Sequence, residues 1–473
     1  MLPMKNFIST LCLAAAWVAL AATARAEQPT PERPNIVVFI ADDMSWEDLG
    51  AYGHPSIRTP NLDRLAREGM RFDEAWLTAS SCSPSRASML TGRYPHNTGA
   101  GLLSQRWPEG ALLLSTPLRE AGYWAAALGK FHPHGEEGSK QFDLVEPGGQ
   151  AAMWLNALKQ RPQNKPFFFW FASRDPHRGF DEDAFDPPHA PADVVVPPYL
   201  PDTPEVRGDL ALYYDAIARF DSHVGEVLAE LEAQGVLDHT MVLFLADNGR
   251  PFPRDKTMCY EGSLRTPLLV RYPPMVKPGS RTESLVSAVD LAPTLLELAG
   301  VKAPSSFQGK SFLSVLRDPQ AKVRDHAFAE RNWHVFSACE RAVITDRFNY
   351  IRNWRPDLAA TPPPDIGKSP TWEVMRKLHA AGKLPPEQAT CFVVPRPEEE
   401  LYDTRKDPHA LRNLAQDPEY QPVMKEMRAA LAAWQRETGD NFDPQKIKPD
   451  GVDRETFKKR ERKEPAKEDG EES

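Results

Sequence analysis

The sequence is poor in cysteine and has no basic excess. Past its first two dozen residues it also lacks long apolar runs. Its five cysteines, Cys12, Cys82, Cys259, Cys339 and Cys391, are widely spaced with no CxxC pair. That excludes a disulfide scaffold and a cysteine-type zinc site, and leaves open a single bridge whose partners spacing does not choose. The formal net charge is −9, so the electrostatic footprint of a nucleic-acid partner is missing. No stretch beyond the N-terminal segment is long and apolar enough to span a bilayer. What is present is ample core material, with 41% hydrophobic residues in 473, enough for one large domain or a large and a small one.

The N-terminus has the layout of a secretory signal. Lys5 supplies the positive region, Phe7 to Ala22 is almost entirely apolar, and Ala24-Arg25-Ala26 forms a small-residue cleavage site. Residues 1–26 are therefore expected to be removed, giving a mature chain from Glu27 that is periplasmic or secreted and has no membrane span. Cys12 leaves with the signal.

Apolar runs then alternate with helical patterns. Ile36–Ile40 reads as a fully buried strand, and further strands are expected at Trp124–Leu128, Phe167–Phe171 and Met241–Leu245. Thr59-Pro60 opens a helix that Gly69 stops. Asp209–Gln234 carries an amphipathic stripe from Leu210 to Leu231, ending at Gly235, and Leu291–Leu298 forms a shorter helix. Strands alternating with helices predict an α/β fold, a mostly parallel sheet covered on both faces. After about Gln320 the periodicity changes. Ala342–Ile351 alternates like one antiparallel strand, a proline-rich loop with Pro362-Pro363-Pro364 follows, another strand lies near Leu401, and a helix runs from about Pro422 to Arg436. The expected division is a catalytic domain at 27–320, a smaller α+β domain with an antiparallel sheet at 321–452, and a charged, disordered tail at 453–473. The proline- and acid-rich stretch Asp181–Pro204 reads equally as a functional loop or a surface insertion.

Each of the four strands is followed by unusual polar residues: Asp42-Asp43, then Lys130 and His132, then Asp175 and His177, then Asp247-Asn248. In open α/β sheets ligands bind beyond the carboxyl ends of the strands, so parallel strands bring these distant residues to one edge. Asp42, Asp43, Asp247 and Asn248 offer only oxygen donors, which suit Ca²⁺ or Mg²⁺ and not zinc. Either pair alone reads more readily as caps or turn residues. Two such pairs, each after a buried strand, point to a metal.

Cys82 lies in Ser80-Ser81-Cys82-Ser83-Pro84-Ser85-Arg86, continuing to Thr91-Gly92. Ser81 suits an N-cap and Pro84 a first turn, so Cys82 is expected at a helix amino end, where backbone dipoles favour an anion and Arg86 adds a cation. A buried structural cysteine and a thiolate nucleophile are the other readings, although no base stands beside it in sequence.

This segment resembles the C-x-P-x-R signature of type I sulfatases. Gly122-Tyr123 to Gly129-Lys130-Phe131-His132 resembles the family's second signature, departing at Ala125 and Leu128. Within the family the chain looks most similar to the sulfamidases, through Arg174–Arg178, Pro198–Pro204 and Asp247–Pro253. Leu401-Tyr402-Asp403 with Asp407-Pro408-His409 is shared by many sulfatases. Lys256 stands where sulfamidases carry arginine, and a lysine cannot make the same bidentate grip on a sulfate.

The resemblance implies an alkaline-phosphatase-like fold and a hydrolase of sulfated sugars, of which the N-sulfate of glucosamine in heparan-type glycans is one. It implies Cys82 oxidised to formylglycine by a maturation enzyme, and one Ca²⁺ held by Asp42, Asp43, Asp247, Asn248 and the modified Cys82. Lys130, His177 and Lys256 would bind the sulfate, with His177 or Lys256 protonating the leaving atom. Asp247 would take the nucleophile's proton, Arg86 would hold the nucleophile, and His132 would deprotonate its second hydroxyl. Apart from the resemblance, Asp175 reads as simply orienting His177, Arg265 as structural, and Cys259 as inert. An O-sulfatase, a phosphonate or phosphodiester hydrolase of the same fold, and a non-enzymatic glycan-binding protein are the competing readings. Oligomeric state is open, a homodimer included.

Overall fold

The structure is a computed structural model that describes residues 33–132 and 135–459. The signal segment 1–26 lies outside the described residues. In chain order the strands are β1 (Asn35–Ala41), β2 (Met70–Phe72), β3 (Ala75–Trp76), β4 (Trp124–Gly129), β5 (Leu144–Glu146), β6 (Phe167–Ala172), β7 (Thr240–Ala246), β8 (Leu268–Arg271), β9 (Ser280–Thr282), β10 (Val286–Ser287), β11 (Ala327–His334), β12 (Phe336–Ile344), β13 (Phe348–Asn353) and β14 (Glu399–Asp403). An eight-stranded sheet has the order β5-β4-β6-β1-β7-β8-β2-β9. Its pairs are parallel except where β8 meets β7 and β2. A short parallel pair joins β3 to β10.

The central strands are apolar at consecutive positions because both of their faces are covered. Ile36, Val38 and Ile40 of β1, with Phe168 and Trp170 of β6, face one core, which the Cys82–Thr91 and Leu291–Leu298 helices cover with Ala87, Met89, Leu90, Leu291 and Leu295. Val37 and Phe39, with Phe169 and Phe171, face the other, covered by Leu210, Tyr213, Ile217, Phe220 and Val224 of the Pro204–Ala233 helix. That helix starts at Pro204, six residues before the stripe begins at Leu210, and is capped by Thr203, whose side chain accepts from the Val206 amide.

The register decides where the site lies. Gly129 and Ile40 both pair with Ala172, and Ala41 pairs with Ala246. The carboxyl ends of β4, β6, β1 and β7 are therefore level. Backbone bonds carry the alignment past the strands: Lys130 N donates to Ala172 O (3.0 Å), Asp42 N to Asp175 O (2.9 Å) and Asp247 N to Ala41 O (3.2 Å). Gly129 sits at φ +99° with the Ala172 carbonyl where a Cβ would go, so the turn delivering Lys130 accepts only glycine.

A second, antiparallel sheet has the order β11-β12-β13-β14, backed by the Gln421–Thr438 helix through Met424, Met427, Leu431 and Trp434. The single strand expected over Ala342–Ile351 is instead a hairpin: β12 and β13 pair as Ile344 with Asn349, with residues 345–347 between them. A turn of polar residues interrupts an alternation whose period continues on both sides, so periodicity alone runs through it. At the charged end, Arg454 is held by Asp450 (2.7 Å) and donates to Ala359 O (2.7 Å) and Ser337 O (2.8 Å). Residues 460–473 lie outside the described residues. Cys82, Cys259, Cys339 and Cys391 are all buried free thiols, so no bridge joins them. Among the described residues no helix is long and apolar enough to cross a membrane.

Candidate active site

The residues singled out at the strand ends meet at one edge of the large sheet. Cys82 opens a ten-residue helix, Cys82–Thr91, that is buried along its whole length. Ser81 occupies the N-cap with extended backbone, but its side chain makes no capping bond. Its hydroxyl instead pairs with His334 Nδ1 at 2.7 Å, so the amides of the first turn are left to face whatever anion sits there. Cys82 Sγ lies 3.6 Å from Lys130 Nζ. Burial pushes the Cys82 thiol up to about 12 against the pull of Lys130 and Lys256. The sulfur thus keeps its proton at neutral pH, which counts against an unmodified thiolate nucleophile.

Around it stand four carboxylates and three fixed cations. Lys130 Nζ is 2.5 Å from Asp42 Oδ2. Arg86, with no exposed surface, donates from Nε to Asp247 Oδ2 at 2.7 Å, and its Nη2 lies 3.5 Å from Asp42 Oδ1. A further bond runs from Arg86 to the Lys130 carbonyl. Asp43 N donates to Asp247 Oδ1 at 3.1 Å, and the Asn248 amide donates to Asp43. Asp43 itself sits at φ +75°, in the left-handed region where aspartate and asparagine are enriched. Lys256 Nζ lies between Asp43 Oδ2 (2.7 Å) and Asp365 Oδ2 (2.9 Å). His177 Nε2 faces the same two oxygens at 3.8 and 3.6 Å, its Nδ1 donating to Arg178 O at 3.0 Å.

The electrostatics show incomplete pairing. Burial, reinforced by Asp42 and Asp43, pushes Asp247 up to about 6 despite Arg86. Burial also opposes ionising Asp42, but Lys130, His177 and Arg86 outweigh it and hold its carboxyl well below the usual range. Among the described residues, Asn248 Oδ1 is buried without a hydrogen-bond partner, and Asp42 Oδ1 accepts none and has only the Arg86 guanidinium at 3.5 Å. Buried oxygens left unpaired beside crowded carboxylates are costly unless a cation joins them. Carboxylate and amide oxygens are the donors that Ca²⁺ prefers, and ligand atoms of Asp42, Asp43 and Cys82 lie within 4.8 Å of one another. Asp42, Asp43, Asp247 and Asn248 therefore fit a hard divalent ion.

Nine of the ten sequence-derived site residues take part in these contacts: Asp42, Asp43, Cys82, Arg86, Lys130, His177, Asp247, Asn248 and Lys256. His132, half-buried two residues beyond Lys130, takes part in none of them. Asp175 does not orient His177. Its carboxylate is gripped by Arg219 at 2.7 and 2.9 Å, and only its backbone serves the site. Arg265 is structural, paired with Glu261 at 2.6 Å and stacked 3.9 Å over Trp46. Asp365 and His334, from the C-terminal third, were not singled out. Only the proline run before Asp365 marks its loop as shaped. A cleft of about 1400 Å³ lined by Trp46, Arg265, Arg281 and Arg347 contains none of the site residues. Its Arg265, Arg281 and Arg347 are matched by Glu261, Asp73 and Asp403.

Residues 34–145 and 150–301 match the sequence model of the family described as sulfatase. Residues 252–359 match one described as N-sulphoglucosamine sulphohydrolase, C-terminal. The chain is 33% identical to N-sulphoglucosamine sulphohydrolase of Homo sapiens, over 88% of this chain and 92% of that one. It is 32% identical to an ulvan-active sulfatase of Formosa agariphila, over 88% and 77%. A solved structure described as a complex with its substrate D-glucosamine-2-N,6-O-disulfate aligns at a TM-score of 0.69 and 22% identity, over 88% of this chain and 100% of that one. A phosphonate monoester hydrolase of Agrobacterium radiobacter aligns at 0.66 and 19%, over 86% and 96%. The structural likenesses establish an alkaline-phosphatase-like fold and nothing finer.

Proposed function

The chain belongs to the sulfatase family and hydrolyses sulfate from sulfated glycans, and on that premise we propose that it removes the N-sulfate of glucosamine in heparan-type chains, using formylglycine made from Cys82 and one Ca²⁺. The observation that carries the chemistry is the placement of Cys82. It lies at the amino end of a buried helix, 3.6 Å from Lys130 Nζ and among the Asp42 and Asp43 carboxylates. The sulfamate reading is supported by the match over residues 252–359 and by the likeness to the human sulfamidase. Export through residues 1–26, maturation by a formylglycine-generating enzyme, and the division into a catalytic part at 27–320 and a smaller part at 321–452 belong to the same proposal.

Asp42, Asp43, Asp247, Asn248 and the modified Cys82 would hold the ion, which supplies Lewis-acid polarisation of the sulfate. Formylglycine at Cys82, when hydrated, would supply one hydroxyl as the nucleophile on sulfur and a second whose proton loss would release the sulfate. Arg86 fixes Asp42 and Asp247 relative to the helix end, so neither carboxylate swings toward the anion. Asp247, crowded by Asp42 and Asp43, takes the proton of the attacking hydroxyl. Lys130 and Lys256 point their ammonium groups at the site and offset charge on the sulfate oxygens. His177, with Nδ1–H committed to the Arg178 carbonyl, presents Nε2 to the leaving nitrogen and protonates it. His132 takes the proton of the second hydroxyl.

The test is sulfate release from N-sulfoglucosamine, glucosamine 6-sulfate and a phosphonate monoester by protein whose Cys82 peptide is shown by mass to carry the aldehyde. Preferred turnover of the N-sulfate supports the proposal. Preferred turnover of the 6-sulfate or of the phosphonate replaces it with an O-sulfatase or a phosphonate hydrolase.

A further inference from the structure

Asp365 is an unexpected group beside a site built for an anion. It stands at the amino end of the short Pro364–Gly367 helix, after three prolines. The loop is firmly held. Ile366 is fully buried, Phe457 packs against Gly367 so closely that no side chain fits there, and Arg454 holds the Ala359 carbonyl at 2.7 Å. The carboxylate uses only Oδ2, toward Lys256 at 2.9 Å and His177 at 3.6 Å. Among the described residues, Oδ1 accepts no hydrogen bond.

Exposure separates the floor of the site from its mouth. The side chains of Asp42, Asp43, Arg86, Asp247 and Lys256 are at most 1% exposed, whereas those of Lys130, His177 and Asp365 are 15%, 29% and 24% exposed. In-line attack from Cys82 at the floor directs the leaving atom outward, toward His177 and Asp365. An ester presents a bridging oxygen there, with lone pairs and no proton, which a carboxylate repels. A sulfamate presents an N–H, and after its S–N bond breaks the electron pair stays on nitrogen, which takes a proton from His177 and departs as an amine. A carboxylate at the mouth is complementary to the second leaving group and opposed to the first.

We infer that Asp365 is a specificity-determining residue, its carboxylate accepting the N–H of a sulfamate leaving group and the ammonium of the product. The inference rests on the sulfamate reading above. The test compares wild-type protein with Asp365→Asn and Asp365→Glu, each checked for aldehyde content and unfolding midpoint. The substrates are N-sulfoglucosamine and 4-nitrophenyl sulfate, with inhibition by glucosamine and by inorganic sulfate measured in parallel. In Asp365→Asn the ratio of kcat/KM for N-sulfate over aryl sulfate falls at least about tenfold, as for loss of a charged hydrogen-bond acceptor. Inhibition by glucosamine weakens more than inhibition by sulfate, and Asp365→Glu recovers part of both effects. Equal loss on both substrates with glucosamine inhibition unchanged makes Asp365 only a support for Lys256 and overturns the inference. Wild-type protein inactive on N-sulfoglucosamine overturns the substrate reading itself, and the inference with it.

Discussion

Two buried charge clusters in this molecule look alike by residue type and differ in completeness. In the C-terminal sheet, Arg341 grips Asp440 at 2.7 and 2.8 Å, and Glu330 accepts from His96 at 2.8 and 3.0 Å and from Asn332 at 2.8 Å. Glu340 is held by Arg331 at 2.6 Å and by Arg396. Burial works against Glu330 and Glu340, but their arginine partners bring both down to about 2. None of these side chains keeps a buried polar atom unpaired among the described residues. At the strand-end edge, Asp42 Oδ1 and Arg86 Nη2 make no hydrogen bond among the described residues and meet only each other at 3.5 Å, Asn248 Oδ1 accepts none, and Asp247 is driven up to about 6. Charge density alone does not mark a reactive site. What sets the strand-end cluster apart from the C-terminal one is unspent bonding capacity among crowded carboxylates that share one edge.

The largest expected contrast is in activity. Cys82→Ala lowers sulfate release by at least about 10⁴-fold, as for loss of a nucleophile, while the unfolding midpoint changes little. A variant retaining activity removes Cys82 from the chemistry. Next is stability: Glu340→Gln strands two buried arginines and costs about 3–5 kcal/mol, with kcat per folded molecule unchanged, readable by denaturant unfolding and active-site titration. The smallest contrast is in pH dependence. Asp247 has a folded value raised above its ordinary 3.8, so in metal-free protein its contribution is fully present below about pH 4 and is lost as pH rises through about 6. Relative to Asp247→Asn, the metal-free wild-type protein therefore loses about 2–3 kcal/mol over that window. Glu330 and Glu340 behave in the opposite sense: their contribution is present above about pH 4.5 and is lost as pH falls through about 2. Parallel pH profiles for wild type and Asp247→Asn would erase the distinction between the clusters.

Most of the strand-end cluster was legible because β1, β4, β6 and β7 are continuous apolar runs, each ending in polar residues, and parallel register makes their ends level. Lys256 was found only through resemblance, since it lies ten residues past β7 in a loop without period. The C-terminal contribution was the least legible. Asp365 follows a proline run and His334 ends β11, and nothing local announces that either folds back over a distant sheet edge. Ser81 shows the same limit from the other side: a suitable capping residue at the N-cap position gave up the cap because His334, 253 residues away, offered its hydroxyl a 2.7 Å partner. The β12–β13 hairpin was read as one strand because its turn left the alternation in phase.

The central claim is that Asp42, Asp43, Asp247 and Asn248 form one divalent-cation site completed by their unpaired oxygens. Thermal unfolding of metal-stripped protein with and without Ca²⁺, at a pH near 7, tests it most directly. The expected result is a rise in the midpoint of several degrees, as for a ligand that binds only the folded state, and no rise in Asp247→Asn. An unchanged wild-type midpoint at millimolar Ca²⁺, or an equal rise in the variant, contradicts it.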